Sequence, residues 1–94
     1  MLEKKNFYIN GKWVEPKNQN DIQVINPANG KSCAIISLGS KEDINDAVIA
    51  AKNAFITWGF STKEERLALL EKLYELYKKR WNDITDAIML EMGA

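Results

Sequence analysis

The sequence predicts an α+β chain in two halves, a β-hairpin and short strands over residues 1–39 followed by three helices over residues 40–94. Three observations carry that prediction. Asn10-Gly11 separates the aromatic-rich run Phe7-Tyr8-Ile9 from Lys12-Trp13-Val14. Apolar residues return every third or fourth position from Ile44 to Trp58, the spacing of one helical face. Ser40 with Asp43, and Thr62 with Glu65, place a hydroxyl three residues before an acid, the signature of a helix start.

In chain order, Asn10-Gly11 suits a type I′ turn, whose two central residues both take positive φ. Strands are therefore expected at residues 6–9 and 12–15. Pro16 ends the second by removing a backbone donor, and KNQND (17–21) reads as a polar loop. Ile22, Val24 and Ile25 form a short apolar strand that stops at Asn26-Pro27. NPANG (26–30) is rich in turn residues, and SCAIIS (32–37) gives a further strand.

The first helix runs from Ser40 along Ile44, Ala47, Val48, Ala51, Ala54, Phe55 and Trp58, with Asn45, Asp46, Lys52 and Asn53 opposite. That stripe is expected to be core. Gly59 is expected to close the helix in the left-handed conformation open to glycine. Thr62 and Glu65 predict a capping box for the second helix. Leu67, Leu70, Tyr74, Tyr77 and Trp81 make one apolar stripe on it, and Leu69, Leu73 and Leu76 a second. A helix apolar on two sides belongs between partners. Lys78, Lys79 and Arg80 sit in its last turn, matched to the negative end of the helix dipole. Asn82 or Asp83 is expected to cap or kink the chain, before a third helix carrying Ile84, Ala87, Ile88 and Met92.

Composition narrows the chemistry. Thirteen basic residues balance thirteen acidic ones in 94, so no net field draws the chain to nucleic acid or an anionic membrane. YKKRW (77–81) reads as a helix terminus rather than a nucleic-acid site. There is no histidine, which removes imidazole-dependent nucleophile systems and tetrahedral metal sites. The single cysteine, Cys33, forms no intrachain disulfide and reads as a small buried hydrophobe. No glycine-rich phosphate loop is present. No segment reaches the ~20 apolar residues of a membrane span, and MLEKKN is no signal peptide. The expected compartment is a reducing cytoplasm.

Five motifs, in order and over nearly the whole chain, carry a family resemblance: YINGKWV, VINPANG, LGSKEDINDAVIAAKNAF with Trp58 beyond it, TKEERLALLEKL, and LEMGA. Together they resemble the N-terminus of NAD(P)-dependent aldehyde dehydrogenases. The resemblance implies that the chain is an α+β fragment of the Rossmann-like α/β fold of that family. Residues 1–94 would then be the N-terminal part of its dinucleotide-binding domain, with the catalytic domain absent. Phe7 and Trp13 would supply apolar area where the hairpin meets the rest.

Such enzymes oxidise an aldehyde to a carboxylic acid with NAD or NADP, through a cysteine thiolate and a glutamate. Both residues fall beyond this segment, so no catalytic residue and no cofactor-binding residue is expected here, and no cofactor on the segment alone. The resemblance also implies a monovalent-cation site built from oxygens of Val24, Ile25 and Glu91, where the family often has aspartate for the acid. The expected partner is the remainder of the dehydrogenase chain, in a homo-oligomeric parent. The alternative is a free-standing, non-enzymatic helical module that self-associates through its exposed apolar helix faces.

Overall fold

Asn10 and Gly11 adopt φ of 56° and 76°, the positive values that a type I′ turn requires. Their turn joins two antiparallel strands in a computed structural model that describes all 94 residues. Chain order is β1 (Leu2–Lys4), β2 (Phe7–Ile9), β3 (Lys12–Val14), β4 (Asp21–Asn26), β5 (Lys31–Ser37), α1 (Lys41–Trp58), α2 (Lys63–Lys79) and α3 (Trp81–Met92). Each strand and helix expected from the sequence is present, within a residue or two at its ends.

The strands form two sheets. β2 and β3 make the hairpin, with Tyr8 opposite Trp13 and their rings 5.1 Å apart on its exposed face. The other sheet has the order β1-β5-β4. β4 and β5 are antiparallel across the NPANG turn. There the side-chain oxygens of Asn26 and Asn29 accept from the N–H groups of Ala28 and Lys31, each at 2.9 Å. β1, for which the sequence carries no strand signal, pairs in parallel with β5, Leu2 facing Ala34. A parallel partner has no adjoining turn to announce it, and three residues are too few for a periodic pattern.

Helix ends depart from expectation in three places. Gly59 is right-handed, φ −59° and ψ −20°, because its N–H continues the helical ladder to the Phe55 carbonyl. The left-handed glycine is Gly93, which ends α3 at φ 73°. Thr62 caps α2 through the Glu65 N–H at 3.1 Å, but only this half of the box forms. α2 and α3 are separated at Arg80, not at Asn82 or Asp83. Asp83 accepts from the Arg80 guanidinium at 3.3 Å and caps nothing.

Very little of this chain is interior. Ala34 and Asp43 are the only buried residues. Ile44, Val48, Phe55 and Trp58, expected as core, are all exposed, as are Leu67, Leu69, Leu70 and Leu73 on α2. The reason is geometric: α1 packs mainly on β2 of the hairpin, α2 mainly on α3, and α3 on β4. The molecule is a slab of 48 × 34 × 16 Å with a radius of gyration of 17.0 Å, against about 12 Å for a compact chain of this length.

Candidate functional site

Ser40 and Asp43 form the most connected polar node. Ser40 precedes α1 in extended conformation, and its hydroxyl accepts from the Asp43 N–H at 3.3 Å. The Asp43 carboxylate answers by accepting from the Ser40 N–H at 3.0 Å and from the Ser40 hydroxyl at 2.9 Å. Its second oxygen accepts from the backbone N–H of Lys17 at 3.0 Å. These donors, the Ser40 N–H foremost, hold the carboxyl below its ordinary range against the opposing effect of desolvation. Lys17 also places its ammonium 3.7 Å from Asp46. Three backbone and hydroxyl donors on one carboxylate make it a structural clamp that joins the start of α1 to the segment after the hairpin.

Beside the clamp, a cleft of about 270 Å³ opens between the hairpin and α1, lined among others by Ile9, Val14, Glu15, Asp43, Asp46 and Ile49. A dinucleotide does not fit it. Its carboxylates, Glu15, Asp43 and Asp46, would face the pyrophosphate, and at the start of α1 the Asp43 carboxylate already takes the Ser40 N–H.

The second node is the corner where α3 meets the turn after β4. Gly93 packs so closely there that a Cβ would lie 2.7 Å from the Ala28 nitrogen and 3.3 Å from Pro27. This seat carries the end of α3, with Glu91, back to the β4 end that holds Val24 and Ile25. The β4–β5 register shifts between those two residues: Val24 faces Ala34, Ile25 faces Ser32, and Cys33 is the extra residue. Its thiol donates to the Val24 carbonyl at 3.4 Å. Cys33 is thus half-buried in a bulge rather than fully buried. Glu91 is exposed, and no three His, Cys, Asp or Glu side chains converge anywhere. A cation at this corner would rest on carbonyl oxygens with one carboxylate, a donor set suited to a hard ion.

The third feature is the exposed apolar surface. The chain exposes 7978 Å², while a folded chain of its mass exposes about 5,500 Å². The surplus, roughly 2,500 Å², has the size of an obligate interface.

The family model described as aldehyde dehydrogenase family matches residues 13–94. The chain belongs to that family. It is 43% identical over its whole length to a 3-succinoylsemialdehyde-pyridine dehydrogenase from a Pseudomonas species, of which it covers 20%. A solved aldehyde dehydrogenase from Bartonella henselae superposes on the entire chain with a TM-score of 0.98 at 48% identity, again over 20% of that protein. The chain thus spans about a fifth of the length of the relatives it matches and corresponds to the N-terminal segment of an aldehyde dehydrogenase. The five-motif resemblance and the α+β-fragment reading stand. What sequence reasoning missed are the Lys17–Asp43 bridge and the seat of Gly93. Glycine in LEMGA was the one local signal for the latter.

Proposed function

We propose that this chain is the scaffold segment of an NAD(P)-dependent aldehyde dehydrogenase and performs none of its chemistry alone. The parent oxidises an aldehyde to the corresponding carboxylic acid, with a cysteine nucleophile and a glutamate supplied by residues outside these 94 and with NAD or NADP as hydride acceptor. The observation that carries this reading is the combination of a backbone match over the whole chain with a surplus of uncovered surface that includes Phe55, Leu70 and Leu73. The segment already has the conformation it takes in a whole dehydrogenase, yet roughly 2,500 Å² of its surface lacks the neighbour that such a conformation implies.

Residues 1–94 form part of the dinucleotide-binding domain, and the two-sided α2 is the piece enclosed by the remaining chain. The parent is a cytoplasmic homo-oligomer. At the corner of β4 and α3, oxygens of Val24, Ile25 and Glu91 take a monovalent cation, which ties the helix end to the strand. The seating of Gly93 on Pro27 and Ala28 supports this placement.

The test is to read the gene past the codon for Ala94 and to assay the products. A frame continuing into a nucleotide site and a downstream cysteine, with NAD(P)-dependent aldehyde oxidation by the long product and none by the 94-residue chain, upholds the proposal. Turnover by the 94-residue chain overturns it, and so does a long product without dehydrogenase activity. For the cation, Glu91→Gln should abolish any dependence of the parent's melting temperature on potassium over sodium.

A further inference from the structure

The chain contains two Asn-Gly pairs, Asn10-Gly11 and Asn29-Gly30, and the fold treats them oppositely. Asn-Gly is the dipeptide in which an asparagine amide is most open to attack by the next backbone nitrogen, because glycine offers no side chain to obstruct it. The reaction needs a free nitrogen at the glycine and a side-chain carboxamide able to swing toward it.

At Asn29 both requirements are blocked. The Gly30 N–H donates to the Asn26 carbonyl at 2.8 Å, and the Asn29 side-chain oxygen accepts from the Lys31 N–H at 2.9 Å. At Asn10 neither is. The Gly11 N–H has no backbone acceptor, the Asn10 side chain has no hydrogen-bond partner, and both residues are exposed at the hairpin tip. A Cβ built on Gly11 would meet nothing within 4 Å, so the space for the rearrangement is open. The two flanking strands are only three residues each, which makes transient opening of the turn easy.

We propose that Asn10 is a site of spontaneous backbone modification and that Asn29 is protected from it. The Gly11 nitrogen attacks Asn10 Cγ. A new N–Cγ bond forms, the Cγ–Nδ2 bond breaks, and Nδ2 leaves as ammonia with the proton that Gly11 gives up. Water then opens the resulting succinimide at either carbonyl, leaving aspartate or isoaspartate at position 10. No oxidant or cofactor enters the balance. The isoaspartyl product adds a methylene to the backbone inside a two-residue turn, whose I′ geometry then no longer matches the strands. The hairpin tip lies over a small-residue face of α1, Ala47, Ala50, Ala51 and Ala54, so the product also sets a new carboxylate against that face. The modification therefore ages the joint between hairpin and helix. It rests on the geometry of this chain and is independent of the proposed enzymatic role.

The experiment incubates the chain in neutral buffer and follows both peptides by mass spectrometry, with isoaspartate separated from aspartate by chromatography. Two hydrogen bonds must open at Asn29 and none at Asn10, so Asn10 should react about tenfold faster or more. In concentrated urea the two rates should converge. Equal rates in native buffer, or faster loss at Asn29, overturn the proposal. A native rate difference that persists unchanged in urea overturns it as well, because the cause would then lie in neighbouring residue types and not in the fold.

Discussion

The carboxylate of Asp43 accepts a hydrogen bond from the backbone N–H of Lys17, 26 residues earlier in the chain, at 3.0 Å. It thereby pins the segment leaving the hairpin to the first turn of α1. The same side chain completes the capping box with Ser40, so one group both starts the helix and fixes where the hairpin lies. Replacing Ser40 by alanine removes one arm of the box and should cost about 1 kcal/mol in urea unfolding of the parent enzyme. Asp43→Asn should cost more, because it weakens three contacts at once. Equal effects of the two substitutions would show that the Lys17 contact adds nothing.

Acid should release this clamp. The folded carboxyl of Asp43 titrates below its ordinary value of 3.8, chiefly through the Ser40 N–H. A depressed folded value means the stabilisation is fully present above pH 3.8 and is lost as pH falls through the folded value. Chemical-shift titration of Asp43 should therefore show a midpoint below 3.8, and the Asp43→Asn variant should lose part of its parent's acid sensitivity. A midpoint at or above 3.8 contradicts the geometry.

Alkali acts on a second pair, Lys5 and Asp21. Lys5 donates to Asp21 at 3.1 Å, tying the end of β1 to β4, and this hydrogen bond raises the ammonium above 10.5. The contribution is complete below pH 10.5 and disappears as pH rises through the folded value. Because Lys5 is the more solvent-exposed end of the pair, Lys5→Met should change stability little at neutral pH and abolish only the alkaline shift in β1 amide exchange. A large neutral-pH loss would mean Lys5 does more than pair with Asp21.

Gly11 and Gly93 separate conformational from steric demands. Both hold positive φ, yet a Cβ at Gly11 enters open space while one at Gly93 meets Ala28 and Pro27. Gly11→Ala should cost about 1 kcal/mol from backbone conformation alone. Gly93→Ala should cost distinctly more and loosen the end of α3, visible as faster amide exchange at Met89 to Glu91. Similar costs would remove the seat of Gly93 from the account.

The apolar faces make the chain's behaviour depend on its company. Alone, it should self-associate in a concentration-dependent way in sedimentation experiments, because large exposed apolar surface seeks cover. Leu73→Asp, on the second stripe of α2, should weaken that association with little loss of helix content. In the full-length parent the same change should destabilise by about 3 kcal/mol, the scale of replacing a buried leucine with an unpartnered polar group. A strictly monomeric chain at high concentration would contradict both expectations.

Residue order alone settled what depends on near neighbours. The I′ hairpin follows from Asn10-Gly11, the start of α1 from Ser40 and Asp43, and the α2 start from Thr62, because turns and caps are closed by residues within four positions. The two apolar stripes of α2 follow from residue order in the same way, and both are exposed in this chain. Only the tertiary structure decided the rest. It placed β1 beside β5, brought Lys17 to Asp43, put the helix break at Arg80 and seated Gly93 on Pro27. It also turned the Ile44–Trp58 stripe from expected core into open surface. All but the break at Arg80 depend on groups far apart in the chain, or on atoms outside it, and a hydrophobic period states that a face must be buried without stating what buries it. For this segment of an aldehyde dehydrogenase the covering atoms belong, on our proposal, to the remaining four-fifths of the enzyme.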